Sequence, residues 1–272
     1  MQKMKKYINC KNCNTRFEGN FCNNCGEKVF KEGDFALLKI FSQALDSFTH
    51  LDSKLFKTLK LLLFYPGKLS KIYTEGIRVP YMKPFQIFVI SNIIFFFIFS
   101  NDDLFRVPSG YFIQENFDGF KTLEKVRNIS KETGLSETQI ANKYDNASTN
   151  LAKVLLVLLI PIIALIGKVF NSKQKLEFGK HLIFSTHFFT FVLSLFVISG
   201  FFLELMPDSL NRRLLIIPIG LGILIYYTIA LKTFYNNSLI SAIIKGISGT
   251  FLIIYIFSIY RMLISILALY TL

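Results

Sequence analysis

Four cysteines near the N-terminus are the residues in this sequence best suited to chemistry. They form two Cys-x-x-Cys pairs separated by eight residues: Cys10, Cys13, Cys22 and Cys25. Each pair can form a tight knuckle, and two facing knuckles supply the four thiolates of a closed, tetrahedral zinc site. Gly26 suits the left-handed turn that often follows such a knuckle, and Asn14 holds the equivalent position after the first pair. The spacing predicts a small zinc ribbon with structural Zn²⁺.

Three other uses of these cysteines are a disulfide pair, a redox dithiol and an iron–sulfur site. A reducing compartment disfavours disulfides, and a redox pair usually lies in a thioredoxin-like βαβ context that this polar segment lacks. The four-thiolate set leaves no open coordination position, so the metal is expected to stabilise folding and not to catalyse. Phe17 and Phe21 are expected to supply the apolar packing of the ribbon.

The loop between the two pairs contains one basic residue, Arg16. Nucleic-acid binding depends on several Lys or Arg contacts to phosphates, so nucleic acid is an unlikely partner. Contact with a cytoplasmic protein or simple scaffolding is the better expectation for the ribbon.

The rest of the chain has the composition of a membrane protein. Of its 272 residues, 52% are hydrophobic and only 18% are charged, whereas a soluble domain has about 25% charged residues. A helix needs about 20 mostly apolar residues to cross a bilayer. Uncharged blocks predict five spans, at about 85–100, 151–170, 182–204, 214–231 and 246–268. The predicted fold is an all-α polytopic membrane protein with a small N-terminal ribbon.

The chain divides by composition into three parts. Residues 1–34 form the ribbon, residues 35–84 form an amphipathic or interfacial helical segment, and residues 85–272 form the transmembrane domain. Within the last part, residues 101–150 are predicted to be a polar extracytoplasmic loop that can bury little core. Ser136 and Glu137 resemble the start of a helix within it.

The distribution of basic residues predicts the orientation. Seven Lys or Arg lie between Lys54 and Lys83, and four Lys and one Glu lie between Lys168 and Lys180. Short basic segments beside spans stay in the cytoplasm. With five spans, the N-terminus is cytoplasmic and the C-terminus extracytoplasmic, although Arg212 and Arg213 would then lie outside. Membrane topology therefore explains much of the net charge of +13.

Two sequence stretches carry a family resemblance. Residues 56–68 read FKTLKLLLFYPGK and residues 73–85 read YTEGIRVPYMKPF. This pattern resembles domain-of-unknown-function family 3667, in which a Thr-Leu run, Pro-Gly, Tyr, Gly-x-Arg, Tyr and Pro precede a membrane helix, often after a zinc ribbon. The resemblance covers about residues 50–90 and the ribbon, and Ile77 stands where the family pattern has Lys. It implies a bacterial cytoplasmic-membrane protein and brings no known activity.

Aromatic and basic residues cluster just before the first span. We expect them to contact lipid headgroups at the interface: Tyr73, Arg78, Tyr81 and Lys83. The alternative is a specific site for a phosphorylated lipid or a partner.

Polar residues inside spans are the other candidates for function. His181 and His187 are six residues apart, about 240° around a helix, so they do not face one ligand. We expect His187 to pack or to form a hydrogen bond between helices. Glu204 and Arg261 could form an intramembrane polar pair, and the alternative is that Arg261 reaches the outer interface.

These features favour a membrane-anchored scaffold or interaction protein that is not an enzyme. Its expected partners are the lipid bilayer and a cytoplasmic protein. The alternative is a small-solute or lipid transporter that uses spans three to five. A membrane enzyme would need a nucleophile or an acid–base set at one interface, and the sequence does not assemble one.

Overall fold

The structure, a computed structural model, describes residues 7–29, 54–99, 104–113, 122–204 and 216–272. These residues are mostly helical, with one antiparallel sheet of two short strands, β1 (Ile8–Asn9) and β2 (Arg16–Phe17). In chain order the helices are α1 (Lys54–Phe64), α2 (Lys68–Glu75), α3 (Pro84–Ile98), α4 (Ser109–Phe112), α5 (Thr122–Thr133), α6 (Glu137–Leu155), α7 (Leu159–Phe170), α8 (Phe178–Glu204), α9 (Ile216–Tyr235) and α10 (Leu239–Tyr270). The part of the predicted amphipathic segment before Lys54 lies outside the described residues.

Four helical segments among the described residues are long and apolar enough to cross a membrane: Glu137–Phe170, Phe178–Phe202, Ile217–Tyr235 and Leu239–Tyr270. The broad prediction of a helical, polytopic membrane protein is therefore confirmed. The predicted span 151–170 is the second half of the first segment, where a 3₁₀ turn joins α6 to α7. The remaining predicted span corresponds to α3, a shorter apolar helix of 15 residues.

The direction of α3 follows from its aromatic contacts with α8. Phe88 stacks on Phe189 with ring centroids 6.0 Å apart, and Phe95 meets Phe196 edge to face at 6.4 Å. Both pairs advance by seven residues along each helix, so α3 and α8 run parallel. At 1.5 Å per residue α3 is about 22 Å long, less than the hydrocarbon thickness of about 30 Å.

The chain forms two compact units. The first contains residues 1–95 and 160–250, and the second contains residues 96–159 and 251–272. In the first unit α2 packs against both α8 and α9.

The turn between α1 and α2 requires glycine at residue 67. Gly67 has a φ of 76°, in the left-handed region, and a Cβ built on it would lie 2.6 Å from the carbonyl oxygen of Ala230 in α9. A residue without a Cβ both permits this φ and lets the backbone approach α9. The Tyr226 hydroxyl donates to the carbonyl of Leu62 at 2.6 Å, so the end of α1 is also held against α9.

The second unit has a core of its own. Helix α6 begins at Glu137 with Ser136 as its N-cap and a reciprocal bond from Gln139, which confirms the predicted helix start. The buried cluster of the second unit contains Phe112, Val126, Ile140, Tyr144, Ala268 and Leu269. The segment 101–150 was expected to bury little core by itself, and the C-terminal end of α10 contributes the last two residues of this cluster.

Candidate metal centre and the segment it contacts

The four cysteine sulfurs converge on one point. All four Sγ atoms lie within 4.8 Å of one another, and the pairs Cys10–Cys25 and Cys13–Cys22 are each 3.5 Å apart. A tetrahedral metal with metal–sulfur bonds of about 2.3 Å separates its sulfurs by about 3.8 Å, whereas a disulfide places them about 2.05 Å apart. The sulfur positions therefore fit four ligands around a metal ion, and the cysteines are not paired as disulfides.

Two similar backbone knuckles place these sulfurs. The Asn14 amide donates to the carbonyl of Cys10 and the Gly26 amide donates to the carbonyl of Cys22, each at 2.9 Å. Asn14 has a φ of 57° and Gly26 a φ of 74°, so both turns use the left-handed conformation that the sequence predicted.

The packing of the ribbon differs in part from the prediction. Phe17 is buried beside the cysteines, as expected. Phe21 is 60% exposed, so the prediction that it supplies apolar packing is wrong. Phe21 lies at a bridge to Lys28, a position that leaves its ring outside the small core.

The surroundings of the thiols affect their protonation in opposite directions. Burial raises the pKa of Cys10 to about 12. Hydrogen bonds with the side chain and backbone of Thr15 lower the pKa of Cys13 to about 6. A buried thiolate is costly unless a cation lies beside it, so a metal ion is the natural partner for this set.

Glu27 connects the ribbon to the segment before α3. One of its carboxylate oxygens accepts hydrogen bonds from the backbone amides of Arg78 at 3.0 Å and Val79 at 3.2 Å. Glu27 is 6% exposed, and its own carbonyl accepts from the amide of Cys22 at 2.8 Å. The second knuckle and residues 78–79 are thus joined through a single residue.

Arg78 and Tyr73 lie directly beside this contact. The Arg78 Nε donates to the carbonyl of Tyr73 at 2.8 Å, and its guanidinium lies 5.1 Å from the centre of the Tyr73 ring. Burial raises the pKa of Tyr73 to about 12. Tyr73 therefore contacts protein groups, whereas Arg78, Tyr81 and Lys83 are partly exposed and their contact with headgroups stays a prediction.

The two histidines have separate partners, which confirms the hydrogen-bonding role expected for His187. His187 Nδ1 lies 2.9 Å from the Ser70 hydroxyl of α2, and Tyr73 meets its ring edge to face at 6.0 Å. His181 Nδ1 lies 2.8 Å from the hydroxyl of Tyr235 in α9. Ser70 and His187 are each 2% exposed, so this pair joins α2 to α8 and offers no access to a substrate.

A polar network joins the ends of three long helices. The Lys245 ammonium donates to the side-chain oxygens of Asn171 and Asn237, both at 2.9 Å. Asn237 also donates to Asn171 at 3.0 Å. The turns after α7 and α9 are thereby held against the first turns of α10.

Arg261 contacts backbone within the second unit. Its Nε and Nη2 donate to the carbonyl oxygen of Arg106 at 3.1 and 2.7 Å. Arg106 forms an ion pair with Asp145, whose carboxylate also accepts the amide and hydroxyl of Ser109. The side chain of Glu204 lies outside the described residues, so its pairing with Arg261 stays a prediction.

Two of these contacts carried no signal in the sequence. Glu27 and Arg78 are 51 positions apart, and Ser70 and His187 are 117 apart. Only the position of Glu27, directly after the second knuckle, could have drawn attention to it.

Comparison with known families finds one match. Residues 52–96 match the family described as "Protein of unknown function (DUF3667)". The match confirms the resemblance drawn from residues 50–90, and it covers α1, α2 and most of α3. Neither the curated proteins nor the solved structures include a match to this chain. The ribbon lies outside the matched residues and contacts them through Glu27.

Proposed function

We propose that this protein is a membrane-anchored scaffold that holds a structural zinc ribbon at the cytoplasmic face of a bacterial inner membrane for contact with a protein partner. The observation that carries this proposal is the contact of Glu27 with Arg78 and Val79. It fixes the ribbon against the segment that leads into α3, so a partner would meet the ribbon in one defined orientation.

Zinc is the metal best suited to this site. Four thiolates in a closed tetrahedral set, without an open position, are typical of structural zinc. Iron is the competitor with the same ligands. The part of the ribbon that the structure describes, residues 7–29, has two short strands and a small core, so the metal supplies much of its folding free energy.

Exposed side chains of the ribbon offer a surface for a partner. Phe21 is 60% exposed and Tyr7 is 52% exposed, and the Arg16 guanidinium lies 4.8 Å from the centre of the Tyr7 ring. Exposed aromatic residues and arginine are the residue types that contribute most to protein–protein binding.

Metal content and cross-linking test the proposal. Full-length protein purified in detergent is expected to bind one zinc per chain, and a variant with all four cysteines changed to serine is expected to bind none. A photo-cross-linker at Phe21 in the full-length chain, expressed in cells, is expected to trap a discrete partner. The same cross-linker at Tyr111, a residue of the second unit that is 68% exposed, serves as the control for position.

Three results would overturn the proposal. Bound iron with visible absorbance would favour a redox role for the four cysteines. Cross-linking at Phe21 that is unchanged when the cysteines are replaced would show that partner binding does not need the folded ribbon. Solute flux in proteoliposomes that Arg261→Ala abolishes would favour the transporter alternative.

A further inference from the structure

One face of α1 is exposed and carries both large aromatic and basic side chains. It consists of Phe56, Lys57, Lys60 and Phe64, called the outer face below. Phe56 is 78% exposed and Phe64 is 74% exposed, and both lysines are exposed. At about 100° per residue these four positions fall within an arc of about 100°.

The opposite side of α1 is committed to protein contacts. Thr58 and Leu62 are buried, about 170° around the helix from the centre of the outer face. The Thr58 hydroxyl accepts the amide of Met82 at 2.9 Å, and the Leu62 carbonyl accepts from Tyr226. The helix therefore cannot rotate to hide the two phenylalanines.

The contact with Tyr226 gives the level of α1 relative to a spanning helix. Tyr226 lies nine residues before the end of α9 at Tyr235, about 13 Å along the helix axis. The end of α1 therefore lies alongside a candidate membrane span, below that span's terminus. With 11 residues, α1 is about 16 Å long and too short to cross a bilayer itself.

The charge around the outer face has one sign. Residues 54–74 contain five lysines and no Asp or Glu. The Lys71 ammonium donates to Asn236 at 2.9 Å, which places α2 beside the turn between α9 and α10. Residues 168–180, which include the turn between α7 and α8, add four lysines and one Glu. This end of the first unit complements an anionic surface.

We propose that the outer face of α1 binds anionic phospholipid in the adjoining leaflet. Phe56 and Phe64 insert among the acyl chains, and Lys57 and Lys60 extend to the lipid phosphates. An aromatic and basic face on a short helix packed beside a span is the arrangement of an interfacial helix.

The absence of tryptophan from the chain allows a direct test. Single Phe56→Trp and Phe64→Trp variants of the full-length protein are reconstituted in bilayers that contain brominated lipid, which quenches tryptophan at acyl-chain depth. Tyr7→Trp on the exposed face of the ribbon is the matched control. The emission of both α1 variants is expected to be blue-shifted and quenched, and that of the control variant is expected to show neither effect.

A comparison of two brominated lipids tests whether the lysines select anionic headgroups. Quenching is expected to be at least about twofold stronger when bromine is on phosphatidylglycerol than on phosphatidylcholine, because each lysine near an anionic surface contributes up to about a fivefold preference. Adding Lys57→Gln and Lys60→Gln, or raising the salt concentration, is expected to remove this preference and leave the quenching by phosphatidylcholine.

Three results would overturn the inference. Emission from the α1 variants like that of Tyr7→Trp would place the outer face in water. Blue-shifted emission that neither lipid quenches would mean that protein, such as a second copy of the chain, covers the face. Equal quenching by both lipids would show insertion without recognition of anionic headgroups. The measurement does not depend on the metal or on a partner of the ribbon, so its outcome is separate from that of the scaffold proposal.

Discussion

At the scale of single residues, Glu27 has the most specific role outside the metal ligands. Its backbone carbonyl is bound by the amide of Cys22 within the second knuckle, and its carboxylate is bound by two amides of the matched segment. A carboxylate that accepts two backbone amides while nearly buried is a strong acceptor at low dielectric. The fold of the ribbon and the position of residues 78–79 are therefore coupled.

Glu27→Ala is expected to release the ribbon from this segment without loss of the metal. The amides of Arg78 and Val79 lose a charged acceptor, and such bonds contribute about 1.5–3 kcal/mol each. Hydrogen exchange of these two amides should accelerate about tenfold or more, while the zinc content stays at that of the parent protein. The control is Glu18→Ala, at an exposed residue of the same ribbon. Unchanged exchange at residues 78 and 79 would contradict the coupling.

What the sequence predicts at this scale depends on how local the signal is. The cysteine cluster and its two left-handed turns are set by spacing within 17 residues, and both predictions agree with the structure. The partners of Glu27 and His187 lie on distant segments, so no spacing rule reveals them. Phe21 shows the converse error, because an aromatic residue between ligands looks like core while the ribbon is too small to cover it.

At the scale of elements, the turn between α1 and α2 determines how the matched segment packs. Pro66 and Gly67 end α1, and the glycine lies directly on the backbone of α9 at Ala230. The sequence predicts the end of α1 from these two residues, but the close approach to α9 depends on tertiary packing and leaves no local pattern.

Gly67→Ala is expected to destabilise the protein more than a change that adds left-handed strain alone. Gly134→Ala provides the comparison, because Gly134 has a φ of 70° and nothing within 4 Å of a built Cβ. Left-handed strain costs about 1–2 kcal/mol, and the clash of a Cβ with Ala230 adds about 1–3 kcal/mol. Thermal unfolding in detergent, followed by the helical circular dichroism signal, measures both variants against the parent. Equal losses of stability would show that α9 shifts to accommodate the methyl group.

The start of α6 could be predicted from a local signal, whereas the extent of the first long apolar segment could not. Ser136 at the start of α6 is a local capping signal, and it is correct. The predicted span 151–170 began at the uncharged block, whereas α6 extends back to Glu137 through polar residues. A polar stretch can be helical when one face packs on a neighbour, as Ile140 and Tyr144 do in the cluster of the second unit.

At the scale of the whole molecule, contacts within the first unit place the ribbon at the basic end of its helices. Glu27 binds residues 78–79, and Lys71 of α2 binds Asn236 in the turn after α9. Helices α7 and α9 end, and α8 and α10 begin, around the polar network of Lys245. These contacts place the ribbon and the basic turns on one side of the helices, and the assignment of that side to the cytoplasm stays a prediction from the count of lysines.

The proposed topology makes a prediction for three sites on the chain. A short protease-cleavable tag is placed at the N-terminus, between Lys175 and Leu176, or at the C-terminus, one site in each variant. The first two tags are expected to be cleaved only in inverted membrane vesicles, because the contacts above place the ribbon and the α7–α8 turn on the same side. Positively charged short segments keep that side in the cytoplasm.

The tag after Lys175 and the C-terminal tag together count the crossings. Four helical segments are long enough to cross, and α3 runs parallel to α8 beside residues 189–196. If α3 is also a span, two crossings return the chain to the cytoplasm before Lys175, and three more place the C-terminus outside, where its tag is cleaved in intact spheroplasts. Cleavage of the C-terminal tag only in inverted vesicles, with the tag after Lys175 in the cytoplasm, would mean that one of α8, α9 and α10 does not cross. Opposite sides for the N-terminal tag and the tag after Lys175 would instead contradict the packing of α2 against α8 and α9, because a single helix of eight residues cannot bridge the two faces of a bilayer.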